Sequence, residues 1–238
     1  MQDHKQPISH ANNERTSLAA LLPRYSILPL IVAVVWNAIA YYGGRAIAQS
    51  WPHYIFESAI DHQIPFVPWT VSIYYASYIF WIVNYILCAR QEKEKVYRFL
   101  SADFLAKGVC LLCFLLLPTT NTRPVVEPEG FWNSVMVLLY QADAADNLFP
   151  SIHCLTSWFC YIGLREYNQI PKWYRKLSFW MAVAVFISTL TTKQHIILDV
   201  FGGVLLAQFC YWVTERIHFS RLYGNVFDSL GPWIPGGK

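Results

Sequence analysis

Six apolar runs, separated by short polar breaks, dominate the 238-residue chain; they cover 26–48, 68–89, 99–117, 150–164, 177–190 and 195–213. Crossing the hydrocarbon core of a bilayer takes about 20 helical residues, so the pattern predicts six membrane helices. Pro29 falls in the first turn of the first one, where proline is tolerated. The aromatic-polar mixture at 49–67 suits the membrane interface rather than a crossing. The loop 119–150 holds one apolar patch, 131–140, too short to cross and therefore placed as a helix lying in the interface. Gly202 and Gly203 inside the last run predict close packing on a neighbouring helix. Polar stretches at 1–25 and 215–238 read as cytoplasmic tails around one domain, 26–214.

Composition agrees with this pattern and adds an orientation. Hydrophobic residues make up 55% of the chain and charged ones only 14%, well below the roughly 25% of soluble domains. A net charge of +3 gives no footprint for nucleic acid. The six cysteines lie in or at the ends of apolar runs and read as buried thiols, neither a disulfide framework nor a zinc site. Lysines and arginines collect before the first run (Lys5, Arg15, Arg24), after the second (Arg90, Lys93, Lys95, Arg98), after the fourth (Arg165, Lys172, Arg175, Lys176) and after the sixth (Arg216, Arg221, Lys238). The other side holds only Arg45, Arg123 and Lys193. By the positive-inside rule both termini are cytoplasmic. The fold class expected is an all-α integral membrane protein of six transmembrane helices.

Chemistry-bearing residues fall on the opposite, extracytoplasmic face. His195 and Asp199 are four apart, a spacing that stacks them on one face of a helix; a carboxylate on one ring nitrogen leaves the other free to attack or to bind. Ser151 and His153 open the fourth run, where a helix N-terminus favours an anion. Arg123 supplies a planar, permanently charged fork suited to phosphate, and His153 a second imidazole able to protonate a leaving group. Phosphate binders, a nucleophile and an acid together make a phosphoryl-transfer site with no need of a metal. A zinc set of His153, His195 and Asp199 lacks the His-Glu-x-x-His pattern, so neither metal nor cofactor is expected. Asp143 and Asp146 read as solvated loop acids, with head-group contact the other reading. Lys107, inside the third run, is expected to pair with Asp103 and to snorkel toward the nearer surface.

Arg123-Pro124, Pro150-Ser151-Ile152-His153 and Ser188…His195-x3-Asp199 resemble the three signatures of the type-2 phosphatidic acid phosphatase superfamily: Lys-x6-Arg-Pro, Pro-Ser-Gly-His and Ser-Arg-x5-His-x3-Asp. The resemblance implies that His195 becomes a phosphohistidine, that Asp199 orients it, that His153 is the general acid, and that Arg123 and Ser151 hold phosphate. Three positions depart. Leu116 stands for the first-signature lysine, Thr189 for the third-signature arginine, and Ile152 for glycine; Lys193 is the candidate replacement for a missing cation. The resemblance implies a membrane lipid phosphatase acting on a phosphomonoester or pyrophosphate lipid in the bilayer. The lipid phosphotransferase branch, which resembles the sphingomyelin and inositol phosphorylceramide synthases, is the alternative, because fewer cations suit a phosphodiester. A proton-coupled transporter using the His/Asp pair is a third reading. The cell membrane is the expected location, and oligomeric state is not legible.

Overall fold

A computed structural model describes residues 22–230. Helices cover all six expected segments: α1 (Arg24–Ala48), α3 (Val71–Ala89, entered through the single turn Pro68–Thr70), α4 (Lys93–Leu116), α6 (Ile152–Leu164), α7 (Lys172–Thr191) and α8 (Ile197–Arg216). Between them lie a short helix α2 (Ala59–Gln63) and the helix α5 (Phe131–Ala142), which occupies the predicted interfacial patch. α9 (Phe219–Leu230) follows the last long helix. The only strands among the described residues are Tyr54–Ile55 and Thr119–Thr120. They pair in parallel and tie the segment after α1 to the loop after α4.

Four of these helices are long and apolar enough to cross a membrane: Arg24–Ala48, Pro68–Ala89, Lys93–Leu116 and Ile197–Arg216. The other two fall short for different reasons. α6 has 13 residues, a rise of roughly 20 Å. α7 has 20 residues, but Lys172, Arg175 and Lys176 occupy its first two turns. α6 is instead the inner helix, packed against α3, α7 and α8, with all but His153, Trp158 and Tyr161 of its residues buried. Outward-facing side chains such as Ile79, Ile82, Leu205 and Phe209 are exposed on the perimeter, as suits helices bathed in lipid.

Other details differ from the pattern-based expectation. α1 begins at Arg24, so Pro29 sits inside the helix, past its first turn. Five cysteines are buried, Cys113 is partly so, and all six are free thiols. Lys107 does pair with Asp103, at 2.9 Å, but does not snorkel: both are buried, and Tyr85 donates to the same carboxylate at 2.7 Å. With Asp103 buried, withdrawing the ammonium would strand its carboxylate, at a cost of about 3–5 kcal/mol. Part of the expected C-terminal tail is the amphipathic helix α9, docked on α4 through Tyr223 against Tyr97 and Asp228 against Lys93. The N-terminal tail falls mostly outside the described residues.

The start of α8 packs on the start of α6, and one glycine sets their approach. A Cβ on Gly203 would lie 2.4 Å from the Ser151 carbonyl oxygen and 3.1 Å from the Leu155 nitrogen. The Ser151 N–H donates to the Asp199 carbonyl at 3.1 Å. The close packing expected of the Gly202-Gly203 pair is therefore present, and it joins the start of α6, which carries His153, to the start of α8, which carries Asp199.

Candidate active site

His195 lies two residues before α8, not in it. α7 ends at Thr191, and the chain turns through Lys193, whose φ of 55° is left-handed. The N–H groups of Gln194 and His195 both donate to the Thr189 carbonyl, at 3.0 and 3.1 Å, closing the turn. Asp199 sits in the first turn of α8, where a carboxylate meets the positive end of the helix dipole. Its Oδ2 accepts the Ile196 N–H at 3.0 Å and lies 3.2 Å from His195 Nδ1. The pair thus meets across a helix N-terminus. Both side chains are buried, and with Nδ1 engaged, Nε2 is the ring nitrogen available for attack.

His153, in the first turn of α6, faces His195 with ring centroids 6.0 Å apart. Tyr74 stacks on His153 at 4.4 Å, and Trp81 flanks it at 5.1 Å. The Tyr74 and Tyr78 hydroxyls each stand 3.5 Å from a ring nitrogen, too long to be strong bonds. The imidazole is held mainly by packing.

Both histidines line one cavity of ≈ 190 Å³, together with Asp143, Asp146, Asn147 and Gln194. Asp143 is no solvated loop acid. Its carboxylate accepts the hydroxyls of Tyr41 and, at 2.6 Å, Tyr74. Burial pushes its pKa up; the charge of His153, the two hydroxyls and Arg123 outweigh that and hold it below the ordinary carboxylate value. Asp146 pairs with Arg45 at 3.1 Å, and burial, only partly offset by Arg45, raises its pKa.

The expected phosphate-binding groups are placed less favourably. Arg123 adjoins the cavity, but its Nη1 donates to the Asp143 carbonyl at 2.5 Å, and its Nη2 to the Ala144 carbonyl at 3.2 Å and to Gln194 Oε1 at 2.6 Å. The guanidinium also lies 4.9 Å from the centre of the Tyr140 ring. Burial lowers its pKa, against the opposing charge of Asp143. The Ser151 hydroxyl is spent as the N-cap of α6, accepting the Cys154 N–H at 3.2 Å, and is fully buried. Lys193, expected as a replacement cation, does not line the cavity between the histidines: its Nζ donates to the carbonyls of Asp61 at 3.0 Å and Ile64 at 2.6 Å, and it lines a second cavity with His195. Thr189 is buried, its hydroxyl turned to the Phe186 carbonyl, and Leu116 is exposed on the perimeter. No group of three or more His, Cys, Asp or Glu among the described residues has the geometry to hold a metal ion.

Several residues around the site carried no sequence signal of their own. Asp61 of α2 places Oδ1 at 2.8 Å from the Ile197 N–H, so α8 is capped by two carboxylates, one from another element. Burial raises the Asp61 pKa, while the Ser58 side chain, the Ile197 and Ser58 N–H groups and Lys193 lower it further than that, leaving it depressed. Gln194 was likewise not singled out, although its place beside His195 in the third signature could have found it.

Fold and site together define an all-helical protein with helices of membrane-crossing length and a histidine-based site buried at one end of the bundle. Residues 45–213, well over half of the chain, match the family model described as the PAP2 superfamily, and the chain belongs to that superfamily of phosphatases and phosphotransferases. No curated protein and no solved structure matches the chain.

Proposed function

We propose that the protein transfers the phosphoryl group of a lipid through a phosphohistidine on His195, and that its phosphorus centre is a phosphodiester. The observation that carries this reading is the convergence of His195–Asp199 and His153 on one small cavity, in a chain of this superfamily. His195 Nε2 forms a bond to phosphorus as the bond to the departing lipid alcohol breaks. His153 gives the alcohol oxygen its proton, and Asp199 stabilises the imidazolium-like ring that results. A second hydroxyl then attacks phosphorus, its proton passes to His153, and the N–P bond breaks.

The charge of the cavity argues for a diester. Arg123 is committed to three protein oxygens, Lys193 to two others, and two signature cations are replaced by Leu116 and Thr189. A phosphomonoester brings a second negative charge that these groups leave without a dedicated partner. A diester brings one. Superfamily membership alone supports a second reading, hydrolysis of a phosphomonoester lipid.

A lipid substrate is supported by an apolar groove of ≈ 180 Å³ between α1 and α3. It shares Asn37, Tyr78 and Trp81 with the catalytic cavity and continues past the exposed Val34 and Ile82. A chain lying there keeps its phosphate beside the histidines. In this reading α6 and α7 complete six membrane helices, both termini are cytoplasmic, and the site opens to the extracytoplasmic side of the cell membrane.

The test is turnover of radiolabelled phospholipids by the purified full chain in liposomes. Wild-type protein is expected to release diacylglycerol and to trap label on histidine, while His195→Ala, inserted normally, does neither. Full activity in His195→Ala refutes the mechanism, and free phosphate from phosphatidic acid as the main product favours the monoester reading.

A further inference from the structure

Three buried polar atoms on the wall of the catalytic cavity have no partner in the protein, and the bonds made by their neighbours fix what each can do. Asn147 donates through Nδ2 to the Tyr41 carbonyl at 3.2 Å, which leaves Oδ1 as an unpaired acceptor. Asp146 uses Oδ2 on Arg45, and its Oδ1 is likewise unpaired. Gln194 accepts from Arg123 through Oε1, so its free atom is the donor Nε2. Asn147 is 4% exposed and Gln194 2%, so neither amide is a surface group satisfied by bulk water. Buried polar atoms left unpaired are costly, and a ligand of matching polarity removes that cost.

The two kinds of atom are not mixed. The free donor belongs to the residue next to His195, where phosphate oxygens must sit for attack. Both free acceptors belong to adjacent residues of the loop between α5 and α6, which lines the same cavity. We propose that Gln194 Nε2 binds an oxygen of the reacting phosphate, and that Asp146 and Asn147 form an acceptor subsite for hydroxyl or primary ammonium donors on the head group esterified to it.

This rests on the phosphodiester reading above and narrows it. A phosphomonoester has no head group to fill the subsite, and a quaternary ammonium has no N–H or O–H to offer the two acceptors. The lipids selected are therefore diesters of a polyol or of a primary amine. If diacylglycerol is the leaving group, the head group stays on the enzyme with the phosphohistidine, and the subsite holds it through both half-reactions.

The experiment uses liposomes carrying one test lipid each, matched in acyl chains and with the same long-chain alcohol as acceptor in every arm: phosphatidylinositol, phosphatidylglycerol, phosphatidylethanolamine, phosphatidylcholine and phosphatidic acid. Diacylglycerol release is measured for the full chain and for His195→Ala. Wild type is expected to favour the first three over the last two, with the inositol and glycerol arms separating a polyol from the ethanolamine arm. Asn147→Gly removes the acceptor while keeping a residue at home in the left-handed conformation, φ 53°. It should narrow the ratio of the preferred lipid to phosphatidylcholine by about tenfold, the worth of one hydrogen bond. Gln194→Leu should slow every lipid alike, because the phosphate is common to all. His195-dependent release with no head-group preference, or with Asn147→Gly slowing all lipids equally, overturns the subsite alone. No His195-dependent release from any lipid overturns the phosphotransfer reading and the subsite with it.

Discussion

Gly203→Ala isolates the contact between the helix ends that hold His153 and Asp199. The added Cβ would stand 2.4 Å from the Ser151 carbonyl oxygen, whereas an unstrained contact needs about 3.5 Å. The obstacle is backbone, which no side-chain rotation can clear, so α8 must back away from α6 by about 1 Å to reach that separation. Asp199 is one turn earlier on α8, and its carbonyl bonds the Ser151 N–H, so the shift passes directly to the His195–Asp199 pair. Overpacking of this kind costs about 1–3 kcal/mol, and a displacement of about 1 Å between reacting groups costs on the order of 100-fold in rate. Gly202→Ala is the matched control: its Cβ would meet the Phe149 ring at 2.5 Å, a side chain that can turn aside, so its loss of rate should be smaller. The assay is diacylglycerol release in liposomes beside thermal unfolding in detergent. Gly203→Ala with wild-type rate and stability would show that the helix ends do not set the catalytic geometry.

Three further predictions concern other parts of the molecule. Asp199→Asn should keep the fold but lower kcat by about 10³–10⁴, because an amide no longer holds His195 in the tautomer that leaves Nε2 basic; a loss under tenfold in a kinetic assay would remove Asp199 from the mechanism. Lys107→Met strands the Asp103 carboxylate in the bundle and should cost about 3–5 kcal/mol. Asp103→Leu with Lys107→Met should recover most of that loss, and equal melting temperatures for the single and double variants would refute the argument. Asp61→Asn weakens a cap of α8 worth about 0.5–2 kcal/mol. The folded pKa of Asp61 is depressed, so its stabilisation is complete above the unfolded value of about 4 and is lost as pH falls through the folded one. Melting curves of wild type and Asp61→Asn should therefore differ at neutral pH and converge in acid; a constant gap down to pH 2 contradicts the assignment.

The residues that announced themselves in the sequence were those whose meaning is local. Apolar runs predicted where helices stand, and the four-residue spacing predicted that His195 and Asp199 touch. The reason for that contact differs, because a turn and a helix cap bring them together rather than one helical face. Direction was not legible. Lys193 looks available from its place in the motif, yet its left-handed backbone and the carbonyls of Asp61 and Ile64, some 130 positions earlier, hold it outside the cavity between the histidines. Asp143 looks like a loop acid because the tyrosines that bind it come from α1 and α3, 102 and 69 residues distant. The inner helix was placed within two residues, at 150–164 against Ile152–Leu164, but its enclosure was not legible, since apolar composition does not distinguish a side chain facing lipid from one enclosed by other helices. Lys107 was misplaced because no local pattern shows that its partner Asp103 is buried.

α9 has a practical consequence for anyone handling this protein. It follows the last long helix, yet Tyr223 and Phe227 contribute to the packing around Tyr97, and Gly224 lets the Tyr97 ring approach to where a Cβ would stand 2.6 Å away. Asp228 accepts from both Lys93 and the Tyr97 hydroxyl, at 2.8 Å each. Shortening the chain after residue 216 would strip this cover from α4 and leave an aromatic patch for other copies to stick to. Affinity tags belong beyond residue 230, and trimming for crystallisation should stop there as well.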